Sequence, residues 1–82
     1  LGMSDLHIFR VKLGTFGEYN TPAALFDEDE LITIPINENN TTYIAGMFYN
    51  LENAIKYQKR MLRIGYENAL IIAYKNGNEI EF

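Results

Sequence analysis

The sequence predicts an α+β domain of element order βαββαβ, a four-stranded antiparallel sheet with both helices on one face. Three observations lead there. Residues 8–16 alternate with period two, residues between Asn50 and Gly65 repeat with helical period, and two further apolar runs, 42–48 and 69–74, are bounded by turn residues. Eighty-two residues with 48% hydrophobic and 13% aromatic content suit one small domain, assigned to residues 6–82. Leu1-Gly2-Met3 reads as a tag remnant, so residues 1–5 are set aside.

The first strand puts Phe9, Val11, Leu13 and Thr15 on one side and Ile8, Arg10, Lys12 and Gly14 on the other. Thr21-Pro22 marks the start of a short first helix over Ala23 to Glu30, with room for about two turns. Leu31 to Ile34 is the second strand, and Pro35, lacking an amide donor, places it at a sheet edge. A turn at 38–41 leads to the third strand. There Gly46-x-Phe48 repeats the Gly14-x-Phe16 of the first.

Asn50 caps the long helix and Gly65 stops it. Leu51, Ala54, Gln58, Met61 and Leu62 share one face, flanked by Ile55 and Tyr57, while Glu52, Lys56, Lys59 and Arg63 point away. Ala69 to Tyr74 is the fourth strand, Asn76-Gly77 a tight turn, and Glu79 to Phe82 either pairs back or trails. In the ferredoxin-like arrangement of such a chain, strands one and three are central neighbours and strand four lies beside strand one. The helices then bury Val11, Leu13, Tyr43 and Ala45. Arg10, Lys12, Gly14, Thr42, Ile44 and Gly46 are left on an open face.

Composition excludes several chemistries. Seven Lys and Arg against eleven Asp and Glu give a charge of −4, which argues against nucleic acid as a partner. No apolar run nears the ~20 residues that span a bilayer, so no membrane insertion is expected within this chain. Without cysteine there is no disulfide, thiol nucleophile or Cys-ligated metal, and the compartment stays open. His7 and Ser4, each the only one of its kind, both lie near the start, which leaves no Ser-His-acid relay; His7 reads as a surface or strand-start residue. Asp27 to Glu30 lacks the turn glycines of a calcium loop and reads as a solvated acidic loop. Glu18, Glu38, Glu67, Glu79 and Glu81 are too scattered to argue a glycosidase pair. Gly14 and Gly46 are not a phosphate loop, and Phe16 and Phe48 read as core plugs. No enzyme, cofactor or metal is expected.

Val11-Lys12-Leu13-Gly14-Thr15-Phe16, the second Gly46-x-Phe48 before a helix containing Ala54, then Gly65-Tyr66 and Ala69-Leu70-Ile71-Ile72-Ala73-Tyr74-Lys75-Asn76-Gly77, together resemble the SPOR (sporulation-related repeat) domain of bacterial cell-envelope proteins. The likeness is strongest over residues 41–80 and, in the first half, over 9–16. It implies an RNP-like fold and a noncatalytic module that binds peptidoglycan glycan strands stripped of their peptides, at division septa. It also implies a periplasmic or cell-envelope location. Two features depart from the family pattern: Lys12 stands where the family commonly has Gln, and the first helix is short. Combined with strand alternation, the resemblance gives an expected ligand surface of Arg10, Lys12, Thr42 and Ile44, extended by Tyr74 and Asn76. The alternative is a protein-interaction or structural module of the same fold without glycan binding. An acidic envelope protein would then dock on the helix face of Lys56, Lys59 and Arg63.

Overall fold

The computed structural model describes residues 7–17 and 19–80. The expected remnant at residues 1–5, Ser4, Glu18, Glu81 and Phe82 lie outside the described residues. Along the chain run β1 (His7–Gly17), a 3₁₀-helix (Ala23–Asp27), β2 (Ile32–Pro35), β3 (Asn40–Phe48), α1 (Leu51–Ile64), β4 (Leu70–Lys75) and β5 (Asn78–Ile80). The strands form one antiparallel sheet of order β2-β3-β1-β4-β5. The two longest strands, β1 and β3, are inside it. As expected, β1 neighbours both β3 and β4, and β2 with its Pro35 is an edge.

Two expectations are corrected. The sheet has five strands rather than four, because residues 78–80 pair back on β4. Asn76 and Gly77 both take positive φ, at 54° and 83°, as a two-residue hairpin turn requires, and this directs the chain straight back. There is one α-helix rather than two among the described residues, since the first helical segment is a five-residue 3₁₀ turn. Pro22 caps it with no side-chain hydrogen bond, and Leu25 is its single buried residue. Continued as helix, the run Asp27-Glu28-Asp29-Glu30 would crowd four like charges into about one turn. Glu30 instead adopts φ 52° and swings the chain into β2.

Both ends of α1 follow their local chemistry. The Asn53 N–H donates to Asn50 Oδ1 at 2.9 Å. Gly65 takes φ 119°, its N–H donates to Leu62 O, and the Tyr66 N–H donates to Met61 O at 3.0 Å, so the last carbonyls are satisfied by a left-handed cap. Ala54 and Met61 face the sheet and are fully buried, as the helical periodicity requires. Leu62, expected on the same face, is 43% exposed and lies outside the core. Gln58 donates its side-chain amide to Ala69 O at 3.1 Å and ties the helix to the start of β4. The core gathers Val11, Leu13, Tyr43, Ala45 and Ile71 from the sheet, Leu25 from the 3₁₀-helix, Ala54 and Met61 from α1, and Tyr66 and Ala69 from the turn after it.

The repeated Gly-x-Phe is a repeated bulge. Along the β1–β3 pairing the register slips between Phe9 and Val11, with the extra residue on β3, and again between Lys12 and Gly14, with the extra residue on β1. Gly14 and Gly46 sit at these slips with φ 143° and 76°. At Gly46 a Cβ would lie 2.5 Å from the Phe48 ring, so the absent side chain is what lets that ring fold over the backbone. Phe16 and Phe48 pack against the core as expected. The Gly14 bulge also corrects one assignment: Thr15, placed by strict alternation with Val11 and Leu13, emerges on the other face opposite Thr42.

Candidate functional site

The helix-free face of the sheet is read from the register. Across it, Leu70, Lys12, Ile44 and Ile32 form one row through β4, β1, β3 and β2. Arg10 pairs with Ile72, Ile8 with Tyr74, and Tyr74 with Glu79. Past the Gly14 bulge, Thr15, Thr42 and Ile34 make another row. Five of the six expected site residues, Arg10, Lys12, Thr42, Ile44 and Tyr74, therefore share this face. The sixth, Asn76, lies beyond the end of β4 in the hairpin turn.

Sharing a face does not make them equally available. Arg10 is 7% exposed, Thr42 6% and Ile44 1%, although α1 packs on the opposite face. Bulges increase the local twist of a strand, and the sheet is curled, which draws the middle of this face inward. Arg10 has a structural duty. Its guanidinium donates to Glu30 O, and beside it the Gly46 N–H, released by the bulge, donates to Asp29 O at 2.8 Å. These two bonds pin the segment leading into β2 against β3. The Arg10 Nε is buried and makes no hydrogen bond among the described residues. Thr42 is engaged by Thr15, their hydroxyl oxygens 2.6 Å apart.

Lys12 and Tyr74 remain half-buried and reachable, and Asn76 is exposed. Burial, and then the nearby Glu79 carboxylate, push the Tyr74 hydroxyl above its ordinary range, with Arg10 pulling weakly the other way. The hydroxyl thus stays a neutral donor through the physiological range. Around these groups lie Leu70, Ile32, Ile34 and Thr15, all exposed, none of which was expected in the site. Pairing register could have located the first three; Thr15 required knowing where the bulge falls. Among the strand residues, Glu79 is the carboxylate that the register places on this face.

The basic stripe of α1 is solvent-facing. Lys56 pairs with Glu52 at 3.6 Å with both side chains largely exposed, an arrangement worth little in water. The Arg60 guanidinium lies 5.9 Å from the centre of the Tyr57 ring. That tyrosine donates to Glu28 Oε1 at 2.7 Å. On the core side an apolar hollow of about 360 Å³ opens between the 3₁₀-helix and the end of α1, lined by Phe16, Pro22, Ala24, Ile64 and Tyr66 among others. Glu67 and Asn68 add polar side chains to its rim. His7 begins β1 and stacks on Phe9, ring centres 6.1 Å apart, a strand-start role.

No protein-family model, curated protein or solved structure matches this chain.

Proposed function

We propose that this chain is a noncatalytic glycan-binding module of the SPOR type, with a ferredoxin-like, RNP-like sheet extended by the β5 hairpin, and that it takes peptidoglycan glycan strands on its helix-free face. The observation that carries the reading is the row Leu70-Lys12-Ile44-Ile32, which sets one cationic donor among apolar side chains on a face no helix covers. Sugars need that mixture. Ring faces lie on Leu70, Ile32 and the Tyr74 ring, while the Lys12 ammonium and the Thr15 and Tyr74 hydroxyls reach hydroxyl and acetamido oxygens. Arg10, Thr42 and Ile44 form the floor rather than the contact surface. The position of β1 and β3 at the middle of the sheet supports the family resemblance. That resemblance in turn suggests a periplasmic or envelope location.

The test is co-sedimentation with amidase-treated sacculi, followed by titration of isotopically labelled protein with peptide-free glycan. Amide signals along residues 10–15 and 42–46 should move while those of Lys56 and Arg63 stay still. Lys12→Ala should weaken retention at least tenfold, and Lys59→Ala should leave it unchanged. Equal recovery in the supernatant with and without sacculi would refute glycan binding. Shifts confined to α1 would favour docking of an acidic envelope protein on Lys56, Lys59 and Arg63.

A further inference from the structure

The edge of the sheet at β2 is a second surface whose chemistry can be read. In the β2–β3 hairpin the Ile36 N–H donates to Asn40 O at 2.9 Å, and the register continues through Ile34 with Thr42 and Ile32 with Ile44. Hydrogen-bonded pairs alternate with non-bonded ones in an antiparallel ladder. Ile32, Ile34 and Ile36 therefore turn their backbone groups towards β3, and Thr33 and Pro35 turn theirs outward. The edge offers the Thr33 N–H and C=O and the Pro35 C=O. The donor that proline lacks falls at a position where β3 asks for none.

Every residue of β2 is exposed, and Ile32, Ile34 and Ile36 are 40, 42 and 59% exposed. Proteins usually protect such an edge with lysine, a bulge or a covering segment. Here the charge runs the other way. From Leu13 to Ile55 the sequence has no Lys or Arg and holds seven of the eleven acids. Asp27, Asp29 and Glu30 precede β2 and Glu38 follows it, all exposed. An antiparallel pairing of two copies through Thr33 would bring the acidic segment before β2 of one copy beside the Glu38 end of the other, so like charges oppose a second copy. We propose that the β2 edge accepts, by strand addition, an extended segment of a partner protein in which apolar and basic side chains alternate. The backbone ladder would hold the segment, its apolar side chains would lie beside the isoleucines, and its basic ones would meet the carboxylates at either end.

The probe is a capped heptapeptide, Lys-Val-Lys-Val-Lys-Val-Lys, titrated into the labelled protein at low salt. Saturable shifts are expected at Ile32, Thr33 and Ile34, with the Thr33 amide exchanging at least tenfold more slowly when bound. The same peptide N-methylated at alternate residues should bind at least tenfold more weakly, as should the unmodified peptide to Ile34→Lys or Thr33→Pro. A Glu-Val peptide should not bind. Binding of the N-methylated peptide within twofold of the parent, shifts centred on α1 or on Lys12, or no saturation would each overturn the proposal. Concentration-dependent shifts at β2 without peptide would assign the edge to a second copy and also overturn it. Lys12→Ala leaves this edge intact, so glycan binding and strand addition can fail separately.

Discussion

At the scale of single residues, the glycines and one tyrosine show how local geometry becomes stability. Gly46 is constrained twice, by a φ of 76° and by the Phe48 ring where a Cβ would sit. Gly65 also has a positive φ, but nothing lies within 4 Å of its absent Cβ. Gly46→Ala should therefore cost about 2–4 kcal/mol, backbone strain and overpacking together, against about 1–2 for Gly65→Ala. Chemical denaturation of both variants measures the gap, and equal costs would mean that the Phe48 ring yields freely. Tyr57 makes a prediction in pH. Burial first, then the hydrogen bond to Glu28, raise its pKa above the ordinary tyrosine value of 10.0. The folded state thus holds a proton that the unfolded state releases, and the stability this contributes is complete below pH 10 and lost as pH climbs through the raised value. Tyr57→Phe should flatten the alkaline fall of the melting temperature above pH 10. An unchanged slope would place the loss at Tyr66 and Tyr74, which burial also raises.

At the scale of elements, α1 and the 3₁₀-helix make opposite cases. The 14 residues of α1 bring a side-chain cap, a left-handed stop and an apolar face, all agreeing on one helix. Met61 has no exposed surface while Lys59 is on the outer face. Met61→Ala should cost about 2–5 kcal/mol, a large share of the stability of so small a domain, and Lys59→Ala under about 0.5. Melts showing equal losses would mean that the helix is seated on another face. The segment before β2 has a plausible start at Thr21-Pro22, but the Thr21 hydroxyl donates to Gly17 O at 2.7 Å rather than capping the turn. Only Leu25 is buried there, and the acidic run ends the turn after Asp27. A longer helix lacks both a cap and a second apolar anchor.

At the scale of the whole molecule, the sheet is anchored at its middle and open at its edges. β1 pairs on both sides and supplies Val11 and Leu13 to the core, while β2 and β5 pair on one side only among the described residues. Native-state hydrogen exchange should find the slowest amides in the β1–β3–β4 centre, at the free energy of global unfolding, with β2 and β5 opening at lower cost. Protection of β2 equal to that of β3 would show that the edge is held by more than one ladder. The two bonds from Arg10 and Gly46 to the carbonyls of Glu30 and Asp29 are where such extra hold would arise. Arg10→Met should accordingly speed exchange in β2 more than in β4, as read amide by amide.

The sequence by itself determined the parts governed by local chemistry: the caps of α1 and its buried Ala54 and Met61, the Asn76-Gly77 turn, Pro35 at an edge, and alternation along β1 as far as Leu13. Those features depend on neighbours three or four residues away at most, so a linear reading reaches them. Other features belong to the tertiary structure. The Gly-x-Phe repeat is visible in the chain, but that it shifts register on two different strands emerges only when β1 meets β3. The slip at Gly14 moved Thr15 to the face of Thr42, and the slip at Gly46 freed that glycine's N–H for Asp29 O. Burial separated the six expected site residues in the same way. Alternation states which side a residue is on, whereas the curl of a bulged sheet decides how much water still reaches it.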